Sequence, residues 1–230
     1  MIRNVGSKVL NNWLIPCEGG YVLIDTGFKN GYAKFCKRLT ENGLSLNDIR
    51  YIVITHMHSS HVGFLQRLLM TTNAELIYNV EDKIRLESGK NNMRTYISRF
   101  DLLIANKVAA IFVDKTQCFP AVFTEKHLDA REQPLRAQGI EFVTMEGHSE
   151  HDTCVIYDGK LFCGDVFARG FFSLRRAPMW IYNKYKMLEE WREIEKMNVT
   201  EIYPSCGKPF PKEDVPDAIE YWRAQGVFRL

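Results

Sequence analysis

The sequence predicts an α/β fold with strands in two blocks and helices outside them. Three observations carry that expectation: two apolar hairpins far apart in the chain, helical stripes that follow them, and a strand-to-helix junction at Thr55–His61. The chain has 230 residues, 46% of them hydrophobic, which is enough to bury one large core. One domain spanning residues 1–230 is therefore the simplest organisation.

Taken in order, Trp13-Leu14-Ile15 and Tyr21–Ile24 flank Glu18-Gly19-Gly20, a hairpin turn signal. Tyr32, Phe35, Cys36 and Leu39 form a helical stripe that ends at Gly43. Ile49–Thr55 reads as a buried strand, and Val62–Leu69 has helical spacing at Phe64, Leu65, Leu68 and Leu69. Residues 86–131 fit a regular pattern least. Within them Met93–Val113 reads as largely helical, with Tyr96, Phe100, Leu103 and Ile104 as its stripe, and Phe119–Phe123 reads as extended.

The second hairpin is the stronger one. Cys154–Tyr157 and Leu161–Cys163 are separated by Asp158-Gly159-Lys160. Later, Tyr185, Leu188, Trp191 and Ile194 recur every third residue, and Ala218, Ile219 and Trp222 suit a C-terminal helix, with their aromatics assigned to the core. No internal repeat or low-complexity tract interrupts the chain.

Charge excludes some functions. A net charge of +2, with 30 basic and 28 acidic residues mixed along the chain, lacks the clustered basicity of a nucleic-acid binder. The start of the chain has no apolar signal region, and no stretch approaches the ~18 apolar residues of a membrane span. A soluble, cytoplasmic protein acting on a small molecule is expected, with homo-oligomerisation left open. The six cysteines have no Cys-x-x-Cys pairing, so free thiols in a reducing compartment are the expectation.

The chemistry concentrates in Thr55-His56-Met57-His58-Ser59-Ser60-His61, where half of the six histidines fall within six residues. In extended backbone His56 and His58 point the same way, and His61 arrives from the first helical turn. A lone histidine is usually a hydrogen-bonded core or surface residue. Three at this spacing would repel one another if protonated, whereas neutral imidazoles suit a metal ion.

This cluster resembles the H-x-H-x-D-H signature of the metallo-β-lactamase-fold superfamily, and other segments resemble that family's motifs in the same order. Val22-Leu23-Ile24-Asp25-Thr26-Gly27 is similar to its early strand and Asp-Thr-Gly turn, and Gly147-His148-Ser149 to its Gly-His-Thr ligand. Gly164-Asp165 is similar to its bridging aspartate, and Tyr203-Pro204-Ser205-Cys206-Gly207 to its last Pro-Gly-His-Gly segment. The resemblance covers roughly residues 5 to 210. It implies a four-layer αββα sandwich with the metal site at the sheet edge, and a variable insertion near 86–131.

Carried over residue by residue, the resemblance implies a first metal site of His56, His58 and His148. A second site would draw on His61, Asp165 and Cys206, with His61 and Asp165 also as catalytic residues. Two positions depart from the family: Ser60 replaces the aspartate that ligates the second metal, and Cys206 replaces the last histidine. Ser59 or Ser60 can be the N-cap of the following helix. Cys206 is either a soft ligand or a buried small hydrophobe. His151 is either an extra ligand or proton carrier or a solvated loop residue, and His127 sits in no motif. The resemblance places Asp25 behind the site, orienting a ligand without touching metal. Phe171–Tyr182, with Arg175, Arg176, Met179 and Trp180, is either a pocket wall or plain packing.

The implied activity is hydrolysis of an ester-like, thioester or lactone substrate with one or two zinc ions, and iron or manganese as alternatives. Two other readings stand beside it. The family's persulfide dioxygenases hold one iron with the equivalents of His56, His148 and Asp165, and a degenerate, non-catalytic metal-binding or ligand-sensing domain is the third. The family's di-iron flavoproteins carry a glutamate where this chain has His58, which sets them apart.

Overall fold

A computed structural model describes residues 1–91, 118–169, 175–178 and 180–224, together with the backbone of residues 96–97. The first sheet is built from β1 (Arg3–Asn4), β2 (Trp13–Cys17), β3 (Gly20–Ile24), β4 (Ile49–Val53), β5 (Glu75–Tyr78) and β7 (His127–Asp129), in the order β1-β2-β3-β4-β5-β7. Between these strands run α1 (Tyr32–Glu41), α2 (Ser59–Val62), α3 (Leu65–Thr71) and α4 (Lys83–Ser88). The second sheet has the order β13-β12-β10-β9-β8, from β8 (Ile140–Met145), β9 (Asp152–Tyr157), β10 (Lys160–Phe162), β12 (Glu201–Tyr203) and β13 (Phe210–Pro211). Helices α5 (Lys184–Lys196) and α6 (Asp214–Ala224) belong to this half. A two-residue strand β6 (Tyr96–Ile97) pairs with β11 (Trp180–Ile181).

Strand periodicity sorts the core into layers, because alternate residues face opposite sides of a sheet. On β3, Val22 and Ile24 join Trp13, Ile15, Val53 and Ile77 between the sheets, where they meet Ile140, Phe142, Val155 and Phe162 of the second sheet. Leu23 faces the other way, onto Tyr32, Phe35 and Leu39 of α1 and Leu65 and Leu68 of α3. Cys154 and Leu161 of the second sheet likewise face outward onto Met187, Trp191 and Ile194 of α5 and Ile219 and Trp222 of α6. Helix, sheet, sheet, helix is the result, the αββα sandwich expected. Each fully buried Leu, Ile or Phe side chain contributes about 1.5–3 kcal/mol to this arrangement.

The strand directions bring the chemistry to one edge. β3, β4 and β5 are mutually parallel, so Asp25 and Thr55–His61 both leave the C-terminal end of the first sheet. β8 and β10 are each antiparallel to β9, and β12 is parallel to β10. His148, Asp165 and Ser205 therefore follow three strands that run the same way. Both predicted hairpins form, with Cys17 opposite Gly20 in the first and Tyr157 opposite Lys160 in the second. Asp158 and Gly159 take positive φ values of 50° and 69°, as a two-residue primed turn requires.

Four local expectations are corrected. The helix expected over Val62–Leu69 is broken after α2, because the Gly27–Lys29 loop lies against Gly63, where a Cβ would sit 2.5 Å from the Gly27 carbonyl oxygen. Neither Ser59 nor Ser60 is the N-cap of α2; extended His58 takes that place and its carbonyl accepts the His61 amide at 2.8 Å. Tyr185 is 48% exposed on α5 and not part of the core, since the buried stripe runs through Met187, Leu188, Trp191 and Ile194. Tyr96–Ile97 is strand and not helix, its local periodicity overridden by pairing with Trp180–Ile181; the rest of the helix expected over Met93–Val113 lies outside the described residues. Among those residues, no helix is long and apolar enough to cross a membrane.

Candidate metal centre

Three imidazoles meet at the common edge of the two sheets. His56 follows β4, His58 leads into α2, and His148 comes from the loop between β8 and β9. His56 Nε2 lies 2.9 Å from His58 Nδ1 and 3.2 Å from His148 Nε2, and the last pair are 3.3 Å apart. Asp165 Oδ2, from the loop after β10, stands 3.9 Å from His56 Nε2 and 4.0 Å from His148 Nε2. These four ligand atoms lie within 4.8 Å of one another, forming the metal-binding cluster found among the described residues. Their separations approach the edge of a tetrahedron with Zn–N of about 2.0–2.1 Å.

Hydrogen bonds behind the rings fix which nitrogen faces inward. His148 Nδ1 donates to the Trp180 carbonyl at 2.8 Å, leaving Nε2 as an inward lone pair. Thr55 Oγ1 donates to Asp25 Oδ2 at 2.8 Å and so accepts from His56 Nδ1 at 3.0 Å, which turns the His56 Nε2 lone pair inward as well. Burial, then the neighbouring imidazoles, holds His56 and His58 well below the usual histidine pKa. Both rings are therefore neutral, the form that ligates.

Beside the cluster sits His61. Its Nδ1 donates to Asp25 Oδ2 at 2.8 Å, and its buried Nε2 faces Asp165 Oδ2 at 3.4 Å without a satisfactory hydrogen bond. Burial pulls the His61 pKa down, but Asp25 and Asp165 on either side overcome it and push it up to about 10. Burial pushes the Asp165 carboxyl up; the His61 and His148 rings and the Ser205 hydroxyl outweigh it and keep the group ionised. Three imidazole nitrogens converging beside an ionised carboxylate are the donor set of a metal ion, and the orphaned His61 Nε2 lies next to them.

Other residues singled out in the sequence fall elsewhere. Cys206 lies outside the four-residue cluster; its carbonyl accepts the Arg169 amide, and burial together with Asp165 pushes its thiol up to about 11. His151 is held by Asp82 at 3.2 Å, beside Arg85, which also pairs with Glu150. Arg175 lies over the Tyr221 ring, and Arg176 lies over Phe210 and pairs with Asp214, so both are packing residues of the second half. Asp25 accepts from the Thr55 amide and hydroxyl and from His61, all with a backbone φ of 58°. Sequence reasoning missed Thr55, the Trp180 carbonyl, Ser205 and Asp152, whose carboxylate accepts the Ser149 amide at 2.6 Å and hydroxyl at 2.8 Å. Asp152 alone had a visible signal, an acid four residues after His148 at the start of a strand.

Comparison with known proteins decides the family. A family profile described as the metallo-beta-lactamase superfamily matches residues 9–205. The chain belongs to that superfamily. Among curated members it is similar to the metallo-beta-lactamase fold-containing protein ST1585 of Sulfurisphaera tokodaii, 27% identical over 187 residues, which are 76% of this chain and 64% of that protein. It thus spans under two thirds of that relative's length. A second relative, "Probable metallo-hydrolase MJ0888" of Methanocaldococcus jannaschii, is 23% identical over 81% of this chain and 82% of its own. A solved metallo-beta-lactamase of Cronobacter sakazakii superposes with a TM-score of 0.68 at 16% identity, covering 98% of this chain and 90% of that one. That likeness shows the metallo-β-lactamase fold. Within the superfamily, the His56/His58/His148/Asp165 cluster supports an enzyme-like function consistent with hydrolase chemistry.

Proposed function

We propose that this protein is a zinc-dependent hydrolase of small ester-like, thioester or lactone substrates, acting in the cytoplasm. The observation that carries the reading is the convergence of three imidazole nitrogens, 2.9 to 3.3 Å apart, beside an ionised carboxylate. His56, His58 and His148 would hold the ion, with Asp165 beside them. Bound there, zinc supplies a Lewis acid and activates water near neutral pH.

The chain's own residues do the rest. Asp165 and His61 are the catalytic pair: Asp165 orients the attacking water, and His61, held by Asp25, moves protons at its Nε2. A second ion, where present, would draw on Asp165, Cys206 and the His61 Nε2, which then no longer carries a proton, and it would be held more weakly because burial and Asp165 keep the Cys206 thiol protonated. Ser60 offers no carboxylate to protonate a leaving group, which favours substrates whose leaving group departs as a stable anion, such as a thiolate. Similarity to "Probable metallo-hydrolase MJ0888" supports the same chemistry. Free cysteines support a cytoplasmic location.

The test is turnover of an ester, thioester and lactone panel by metal-free protein, zinc-loaded protein and a zinc-loaded His58→Ala variant. Zinc-dependent turnover that His58→Ala abolishes is expected. Full zinc occupancy with no turnover across the panel would overturn the reading, and oxygen consumption by iron-loaded protein with a persulfide would favour the dioxygenase instead. His58 Nδ1, crowded against His56 and His148, is a fourth inward ligand that a two-histidine, one-carboxylate iron site does not need.

A further inference from the structure

A carboxylate on the buried face of α5 has no place in the chemistry described so far. Glu190 is 7% exposed and shares that face with Met187, Trp191 and Ile194, where an apolar side chain would pack without desolvating a charge. Its Oε1 accepts the Glu146 amide, and its buried Oε2 makes no well-formed hydrogen bond among the described residues, with the Gly147 amide also facing the carboxylate. Gly147 is pressed onto the same surface: a Cβ there would lie 2.7 Å from Glu190 Oε2 and against the Met187 backbone.

The neighbouring bonds continue the pattern. The Gly147 carbonyl accepts from the amides of Tyr182 at 3.0 Å and Asn183 at 2.9 Å, and the His148 carbonyl accepts from Tyr182 at 3.1 Å. His148 Nδ1 then donates to the Trp180 carbonyl. The stretch from Trp180 to Glu190 thus forms one template, and Glu146-Gly147-His148 lies along it.

We infer that Glu190 is a positioning residue for His148, setting the loop backbone through the Glu146 amide so that the His148 ring meets His56 and His58. The inference rests on His148 being a metal ligand. Removing the acceptor frees the Glu146 amide, leaving Glu146 tied to α5 through the exposed Lys186 pair at 3.6 Å, and the ring loses its register with the other two histidines. Outer residues of this kind alter metal affinity by about 10–100-fold.

The experiment measures zinc affinity of the full chain by competition with a chromophoric chelator, and the visible spectrum of the cobalt(II)-substituted protein. The variants are Glu190→Gln, Glu190→Met, Glu190→Ala and His148→Ala. Glu190→Gln keeps an acceptor oxygen and should keep wild-type affinity and spectrum. Glu190→Met fills the same space without an acceptor and, like Glu190→Ala, should bind zinc about 10–100-fold more weakly with an altered cobalt spectrum. Should Glu190→Ala fail to fold, Glu190→Met carries the comparison. Wild-type affinity and spectrum in Glu190→Met would overturn the inference while leaving the metal site standing. Wild-type zinc affinity in His148→Ala would overturn both.

Discussion

Asp25 shows how much one side chain can organise. It sits in the left-handed region at φ 58°, is buried, and accepts hydrogen bonds from Thr55 and His61, so it orients His61 directly and His56 through the Thr55 hydroxyl. Leaving a buried donor unpaired costs about 1–3 kcal/mol. Asp25→Ala, which also strains the backbone, should lose at least ~2 kcal/mol in urea unfolding of the metal-free protein. Asp25→Asn tolerates the positive φ and keeps one acceptor oxygen, so it should lose less. Ser60→Asp restores the carboxylate that the family places there; metal analysis and assay should show higher second-ion occupancy and a faster rate, and no change in either would refute that account.

Glu190 gives a pH signature at the same scale. Burial pushes its pKa from 4.5 up to about 7 in the folded chain, so the folded state holds a proton that the unfolded state releases. Its contribution to stability is fully present below pH 4.5 and is lost as pH rises through about 7. Unfolding free energy of the wild type minus that of Glu190→Gln should therefore fall across this window, and a flat difference would show that the group titrates normally. The histidine spacing was legible in the sequence because two ligands lie within three residues. Thr55, Ser205 and Glu190 were not, because each finds its partner only after distant segments pack.

Elements are legible where local signals agree and misread where a neighbour intervenes. Both hairpins follow from Gly-containing turns between apolar runs. The break between α2 and α3 has Gly63 as its one local trace, since its cause is the Gly27–Lys29 loop, more than 30 residues away along the chain. Thr26, just before that loop, anchors the site: its amide, at 2.8 Å, and hydroxyl, at 2.6 Å, both bond the His61 carbonyl. Gly63→Ala puts a methyl into this contact and should destabilise the chain by about 1–3 kcal/mol, read by urea unfolding. It should also weaken metal binding by displacing His61; intact affinity beside lost stability would show that the loop supports only the fold.

At the scale of the molecule, the candidate ligands join the two sheets. His56, His58 and His61 issue from the first, His148 and Asp165 from the second, so an ion between them cross-links halves that otherwise meet through the layer of Trp13, Ile24, Phe142 and Phe162. A ligand present at about 1,000 times its Kd stabilises the folded state by roughly 4 kcal/mol. Chelation should accordingly lower the Tm by several degrees, reversibly on adding zinc, and a Tm indifferent to chelator would argue against this bridge. The four layers themselves were visible in the sequence only through the family resemblance. Strand order in a mixed sheet is a matter of non-local pairing, which neither periodicity nor turn chemistry specifies.

The most direct measurement is elemental analysis of protein purified without added metal, beside His148→Ala prepared identically. At least one tightly held zinc per chain is expected, lost in the variant. No metal even after reconstitution, or equal metal in both proteins, would contradict it.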